Sequence, residues 1–214
     1  MRSKRVLKST MLAVVVAIVA AGCGGSDFTY IANGTESLFF KVPKTWKVFR
    51  LTDTDKEGRP ASLPDGIERA WHLVVDASQE PTVNHLGEEQ PVAPVVEAAV
   101  YTLSEYASSA MSQSSLRTSL FGFDPIYNDP GIEEKWEVVS FDRLAYPKGV
   151  LGSRVVVNKP SETEPTIFST TSGITVFDPI QRRVYIMRVF CESKCYLDNQ
   201  KTIDEIAASW TVNR

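Results

Sequence analysis

The chain has 214 residues, with 23 Lys and Arg against 26 Asp and Glu, 43% hydrophobic residues, 12 Gly and 12 Pro. This is ordinary composition for about one globular domain, and it excludes a disordered, collagen-like or multi-pass membrane chain. The sequence carries no strong catalytic or metal signature, so it speaks more clearly about location and fold than about a reaction.

Arg2, Lys4, Arg5 and Lys8 open the chain without an acid, and residues 11–21 form an apolar run that ends in Ala20-Ala21-Gly22-Cys23. A basic start, a short apolar stretch and a small-residue cleavage site describe a signal peptide over residues 1–22. The run is too short to span a bilayer as a helix, which takes roughly 20 residues. Ala-Ala-Gly-Cys resembles the bacterial lipobox, with Ala20 in place of the usual Leu. The resemblance implies that Cys23 becomes the acylated N-terminus of an extracytoplasmic protein anchored to the cell membrane. Two or more acyl chains hold stably where one does not, since each buried methylene contributes about 0.8 kcal/mol.

Cleavage removes four cations and no acid, leaving 19 basic and 26 acidic residues, a net charge of −7. A partner bound by counterion release needs a basic face, so nucleic acid is excluded, as is electrostatic binding to anionic headgroups. Residues 23–27 are a brief lipidated tether, and residues 28–214 read as one domain starting at Phe28-Thr29-Tyr30.

Segments 38–42 and 46–50 read as two short strands about the turn Pro43-Lys44-Thr45. The acidic stretch Asp53-Thr54-Asp55-Lys56-Glu57-Gly58 begins like a calcium loop, but the position that should hold a bidentate Glu is Pro64, and the stretch follows a strand. We read it as a solvated loop. Segments 69–76, 95–101, 135–144, 152–157, 166–177 and 183–190 are rich in β-branched and aromatic residues and read as strands. The last two are joined by the hairpin turn Asp178-Pro179-Ile180-Gln181. In the final strand Val184, Ile186 and Phe190 point one way and Tyr185, Met187 and Val189 the other. Both faces are apolar, as in a central strand covered on both sides.

Two helices supply the covers. Thr102-Leu103-Ser104-Glu105 has the form of a capping box opening a helix to about Ser115, with Leu103, Tyr106, Ala107, Ala110 and Met111 as its buried stripe. A second helix, starting after Asp198 or Asn199, places Ile203, Ile206, Ala207 and Trp210 on one face. The expected fold is α+β, a mainly antiparallel sheet with helices on both faces, an α/β/α sandwich.

Cys191 and Cys195 lie outside the cytoplasm on this reading, where a disulfide is the default. An extended strand would hold their Cα atoms about 13 Å apart, so the strand must end near Cys191 and turn. The alternative is a redox pair, disfavoured because three residues separate the cysteines instead of two.

Leu38-Phe39-Phe40-Lys41-Val42-Pro43-Lys44-Thr45-Trp46-Lys47-Val48 resembles the opening strand, Pro-containing turn and Trp of the PsbP/Mog1-like family, and residues 203–212 resemble its closing helix and short last strand. The likeness covers roughly residues 28–212. It implies the family's sandwich fold and a role as an extrinsic or adaptor subunit bound to other proteins. No metal or partner residue of the family's photosynthetic members matches a position here, so no cofactor is expected.

Chemistry has few carriers. His72 sits in a strand and reads as a core histidine with a hydrogen bond, and His85 lies in a polar loop. Glu88 with Glu89 and Glu133 with Glu134 are adjacent, and on a strand would face opposite ways, so neither is an acid/base couple. The segment from Leu120 to Gly131 stands out, with Phe121, Phe123 and Tyr127 beside Pro125 and Pro130. Either these aromatics fold back on the core edge, or Phe121, Phe123, Ile126 and Tyr127 contact a partner or apolar ligand. Three function classes follow: an accessory protein acting by protein–protein contact, a carrier of an apolar ligand held between a helix and the sheet, and an envelope hydrolase with a site assembled from distant residues.

Overall fold

Strand β2 (Leu38–Pro43) alternates buried Leu38, Phe40 and Val42 with half-buried neighbours, the two-residue period of a strand on a core. It pairs antiparallel with β1 (Phe28–Asn33) and with β10 (Thr211–Val212), making a three-stranded sheet. The computed structural model describes residues 27–51, 65–127, 136–146, 149–161 and 166–213. Cys23, the calcium-like stretch and the Glu133–Glu134 pair lie outside them.

The larger sheet has seven strands: β3 (Lys47–Leu51), β4 (Ile67–Asp76), β5 (Val95–Leu103), β6 (Glu137–Ala145), β7 (Leu151–Pro160), β8 (Phe168–Asp178) and β9 (Arg183–Glu192). Their order is β3-β4-β5-β9-β8-β7-β6, and every neighbouring pair is antiparallel. Strand β9 is central, as its two apolar faces predict. The segments about Pro43 are indeed two strands, but β2 and β3 belong to different sheets.

One face of the large sheet is covered by α3 (Ser193–Ser209) together with the small sheet. Ile203 and Ile206 of α3 are fully buried against Tyr185 and Met187, and Phe40 meets Trp210 with ring centroids 5.4 Å apart. The Lys41 N–H donates to Ser209 Oγ at 3.0 Å, tying the helix end to β2. The opposite face is shared between α1 (Glu105–Ser109) with α2 (Gln113–Phe121) and a short 3-10 helix over Val83–Gly87. Helices therefore cover both faces. Gly173 on β8 makes the approach of α2 possible, because a Cβ there would stand 2.2 Å from Leu120 Cδ2 and 3.0 Å from Phe121 Cζ.

Two helix boundaries differ from expectation. Thr102 does not open a helix: it pairs with Glu68 and Arg183 in the sheet, and its hydroxyl accepts from Arg183. Sheet pairing overrides the local capping pattern, and Ser104 caps α1 instead, accepting from the Ala107 N–H at 3.2 Å. The helical stretch then breaks and restarts as α2, where Ser112 and Ser115 form the capping box. Of the expected stripe, Leu103, Ala107 and Met111 pack on the core around Leu116, whereas Tyr106 is 83% exposed and Ala110 also faces solvent. Helix α3 starts at Ser193, earlier than its Asp198–Asn199 signal. No side chain caps it, and it buries Tyr196 in its first turn.

Cys191 ends the core-facing run of β9, and Cys195 lies in the first turn of α3; the two are bonded, with Cα atoms 6.0 Å apart. Strand and helix meet at a sharp corner there, which brings the Cα atoms within bridging range. Cys191 is fully buried, so a nucleophile has no approach to its sulfur. The intact mass of the purified protein should be two hydrogens below that of the reduced form, and Cys191→Ala with Cys195→Ala should lower stability by about 2 kcal/mol in the chain-entropy account. Two thiols that alkylate freely without reductant would count against the bridge.

Candidate functional site

The corner where α2 meets the sheet edge is built around one buried ion pair. Gly122, at φ 86°, ends α2 in the left-handed conformation that glycine takes without strain. Asp124 then turns the chain back: it accepts from Arg117 Nε at 2.7 Å and Nη2 at 2.8 Å, and from the Ile126 N–H at 3.1 Å. Both side chains of the pair are under 10% exposed. Desolvation alone would raise the Asp124 pKa, but the hydrogen bonds from Arg117, Ser114 and Ile126 and the guanidinium charge outweigh it and hold the carboxyl below its usual range. Arg117 also lies 5.6 Å above the Phe141 ring of β6.

This pairing holds open a cleft of about 320 Å³, lined by Gln113, Ile126, Tyr127, Phe141, Arg143 and Leu151, among others. It opens to solvent through Tyr127, 68% exposed, and Leu151, 48% exposed. Arg143 makes no ion pair among the described residues, and Gln113 Nε2 is buried without an acceptor. A second groove of about 300 Å³ flanks β6 on its other face, between Val139, Arg154, Tyr196, Leu197, Gln200 and Asp204. There Arg154 donates to Asp204 at 2.5 Å and to Ser172 at 3.0 Å.

The aromatic segment divides in two. Phe121 and Phe123 are half-buried and meet Trp136 edge-on, with centroids 6.3 and 4.3 Å away, and Pro125 is buried. Ile126 and Tyr127 instead line the cleft.

Sequence reasoning missed a charged seam across the same sheet face. Glu97 of β5 lies opposite Arg188 of β9, whose Nε donates to it at 2.6 Å. His72 Nε2 lies 2.9 Å from the other Glu97 oxygen, and Arg69 Nη1 is 3.1 Å from His72 Nδ1. A guanidinium can only donate, so Nδ1 accepts and the imidazole proton sits on Nε2, donated to Glu97. His72 is 2% exposed, a bonded core histidine as expected. His85 is also bonded, through Nδ1 to the fully buried Asp76 at 2.7 Å. The signal that could have found the seam is Glu97 alone in the run Val95-Val96-Glu97-Ala98-Ala99-Val100, and Arg188 alone among apolar residues of the facing strand. Among the described residues no group of three or more His, Cys, Asp or Glu could hold a metal ion, and no helix is long and apolar enough to cross a membrane.

Burial works against ionised Glu97, yet the Arg188 charge and the His72 hydrogen bond prevail and take its pKa from 4.5 to about 2. The pKa is depressed in the folded state, so the stability it contributes is full above pH 4.5 and is lost as pH falls toward 2. It amounts to something on the order of 3 kcal/mol. Urea unfolding of Glu97→Gln should therefore show reduced stability at pH 7 and a flatter decline between pH 4.5 and pH 2 than the parent. An unchanged acid limb would remove Glu97 as its source.

Neither a protein-family model nor a curated protein matches this chain. Solved structures do. The solution structure of cyanobacterial PsbP from Synechocystis aligns with TM-score 0.51 and 10% identity over 90% of this chain and 96% of that one. LpqN of Mycobacterium tuberculosis, described as involved in cell envelope biogenesis, gives TM-score 0.46 and 12% identity over 87% and 91%. The Ran-binding protein Mog1p of Saccharomyces cerevisiae gives 0.47 and 11% over 86% and 95%. Of these three only the first exceeds 0.5, and at its identity the likeness is one of fold: an antiparallel sheet flanked by helices, in the PsbP/Mog1-like arrangement.

Proposed function

We propose that this chain is a lipid-anchored extracytoplasmic accessory protein of a bacterial cell envelope, held by acyl groups on Cys23 and acting through protein–protein contact at the corner of α2, residues 124–127 and β6. The observation that carries the contact reading is the kind of space the fold leaves. A carrier of an apolar ligand needs an enclosed apolar cavity, most naturally between helix and sheet. Here Ile203, Ile206, Tyr185 and Trp210, each at most 6% exposed, fill the inner part of the interface between α3 and the sheet, and the groove of about 300 Å³ at its outer rim is open and crossed by the Arg154–Asp204 pair. The space at the α2 corner is open and mixes guanidinium, amide, phenol and aliphatic groups. Such a surface suits a partner's side chains better than an acyl chain. The anchor rests on the basic start, the apolar run and the Ala-Ala-Gly-Cys site of the sequence.

Cys23→Ser should abolish palmitate labelling and leave the precursor uncleaved, and unchanged labelling would sink the anchor. Crosslinking in native membranes should join the protein to one stoichiometric envelope partner, and Tyr127→Ala should weaken that capture roughly thirtyfold, as expected for an exposed aromatic hot spot worth about 2 kcal/mol. Phe123→Ala is a poorer probe because its ring packs on Trp136. Stoichiometric lipid retained by the purified protein in native mass spectrometry would favour the carrier instead.

A further inference from the structure

Strand β6 is the outermost strand of the large sheet, so one edge of its backbone faces no other strand among the described residues. Its first third is disrupted by a bulge between Val138 and Ser140, but from Ser140, opposite Val156, to Ala145, opposite Leu151, the register is uninterrupted. Six residues with regular spacing and an edge that no described strand pairs form a template for strand addition.

The side chains beside that edge specify what can be added. Phe141 and Arg143, two positions apart, share the cleft face. The Arg117 charge is already matched by Asp124, whereas Arg143 has no ion-pair partner among the described residues. An occupant must therefore bring an anionic acceptor. The cleft's volume is near the lower end for small-molecule sites, roughly 300 Å³, and its open side cannot bury most of a free ligand. The anion is better supplied by a larger body lying along the edge.

We propose that β6 receives an extended acidic segment of a partner protein, paired antiparallel with residues 140–145. One Asp or Glu of that segment stands opposite Arg143, and the residue two positions further on is apolar and lies against Phe141. The partner motif reads acid, any residue, apolar. The inference rests on the contact reading above and adds to it the mode and chemistry of recognition.

The probe is the hexapeptide Thr-Val-Glu-Thr-Val-Thr-amide carrying fluorescein on its amino terminus through a β-alanine spacer, titrated by anisotropy against the full-length lipidated protein in nanodiscs. The peptide should bind, and its Gln and Lys versions should bind at least tenfold more weakly. Arg143→Glu alters an exposed side chain, so the protein should stay folded and invert the preference toward the Lys peptide. N-methylation of one alternate set of peptide amides should abolish binding, and of the other set should leave it intact. Absence of binding, equal binding of the Glu and Lys peptides, or tolerance of N-methylation at both sets would each overturn strand addition. A native partner whose crosslinking depends on Tyr127 but is unchanged by Arg143→Glu would overturn this inference and leave the contact reading standing.

Discussion

The structure depends on the need to cover β9 from both sides. A strand whose residues from Val184 to Cys191 are apolar toward both faces, Arg188 excepted, cannot lie at an edge or against water. Each face requires its own layer, and the two layers are made differently. Helix α3 and the small sheet close one side with a continuous cluster running from Phe40 to Trp210. The other side is closed in two separate pieces, by α1 and α2 around Leu116 and by the 3-10 helix around Leu86. The charged seam of Glu97, Arg188, His72 and Arg69 lies on that divided face, and the cleft lies at its outer corner.

Much of this was legible in the sequence. Strands were readable because burial imposes a two-residue period or an unbroken apolar run, as in β2 and β9, and the turn at Asp178-Pro179 is local chemistry. Helix starts were read less well. Thr102 has the composition of a cap, but whether its backbone groups go to a helix or to Glu68 and Arg183 depends on strands far away in the chain. Helix α3 begins without any capping side chain, so its first turn left no mark, and its position follows from the corner bridged by the cysteines.

The site was legible only in part. Aromatics and prolines in one segment marked residues 121–127 as unusual, yet composition could not separate the rings that pack on Trp136 from those that line the cleft. Gln113, Phe141 and Arg143 are unremarkable in sequence. They acquire meaning when β6 is the sheet edge and α2 reaches over it, an arrangement that needs Gly173 to admit Leu120.

The pairing of β5 with β9 also bears on how the fold is reached. Strands β3 to β5 and strands β6 to β9 are each antiparallel runs in which neighbours in sequence are neighbours in space, so each can assemble locally. Joining them requires contact between residues as distant as Val95 and Phe190, the long-range closure that makes β topologies slow. The Glu97–Arg188 pair crosses that one junction. A slip of one residue would turn Glu97, with His72 still bonded to it, into the face packed by α3 and separate it from Arg188. The pair thus acts as a register mark on the least local step of assembly, rejecting misaligned halves that hydrophobic contact alone would tolerate.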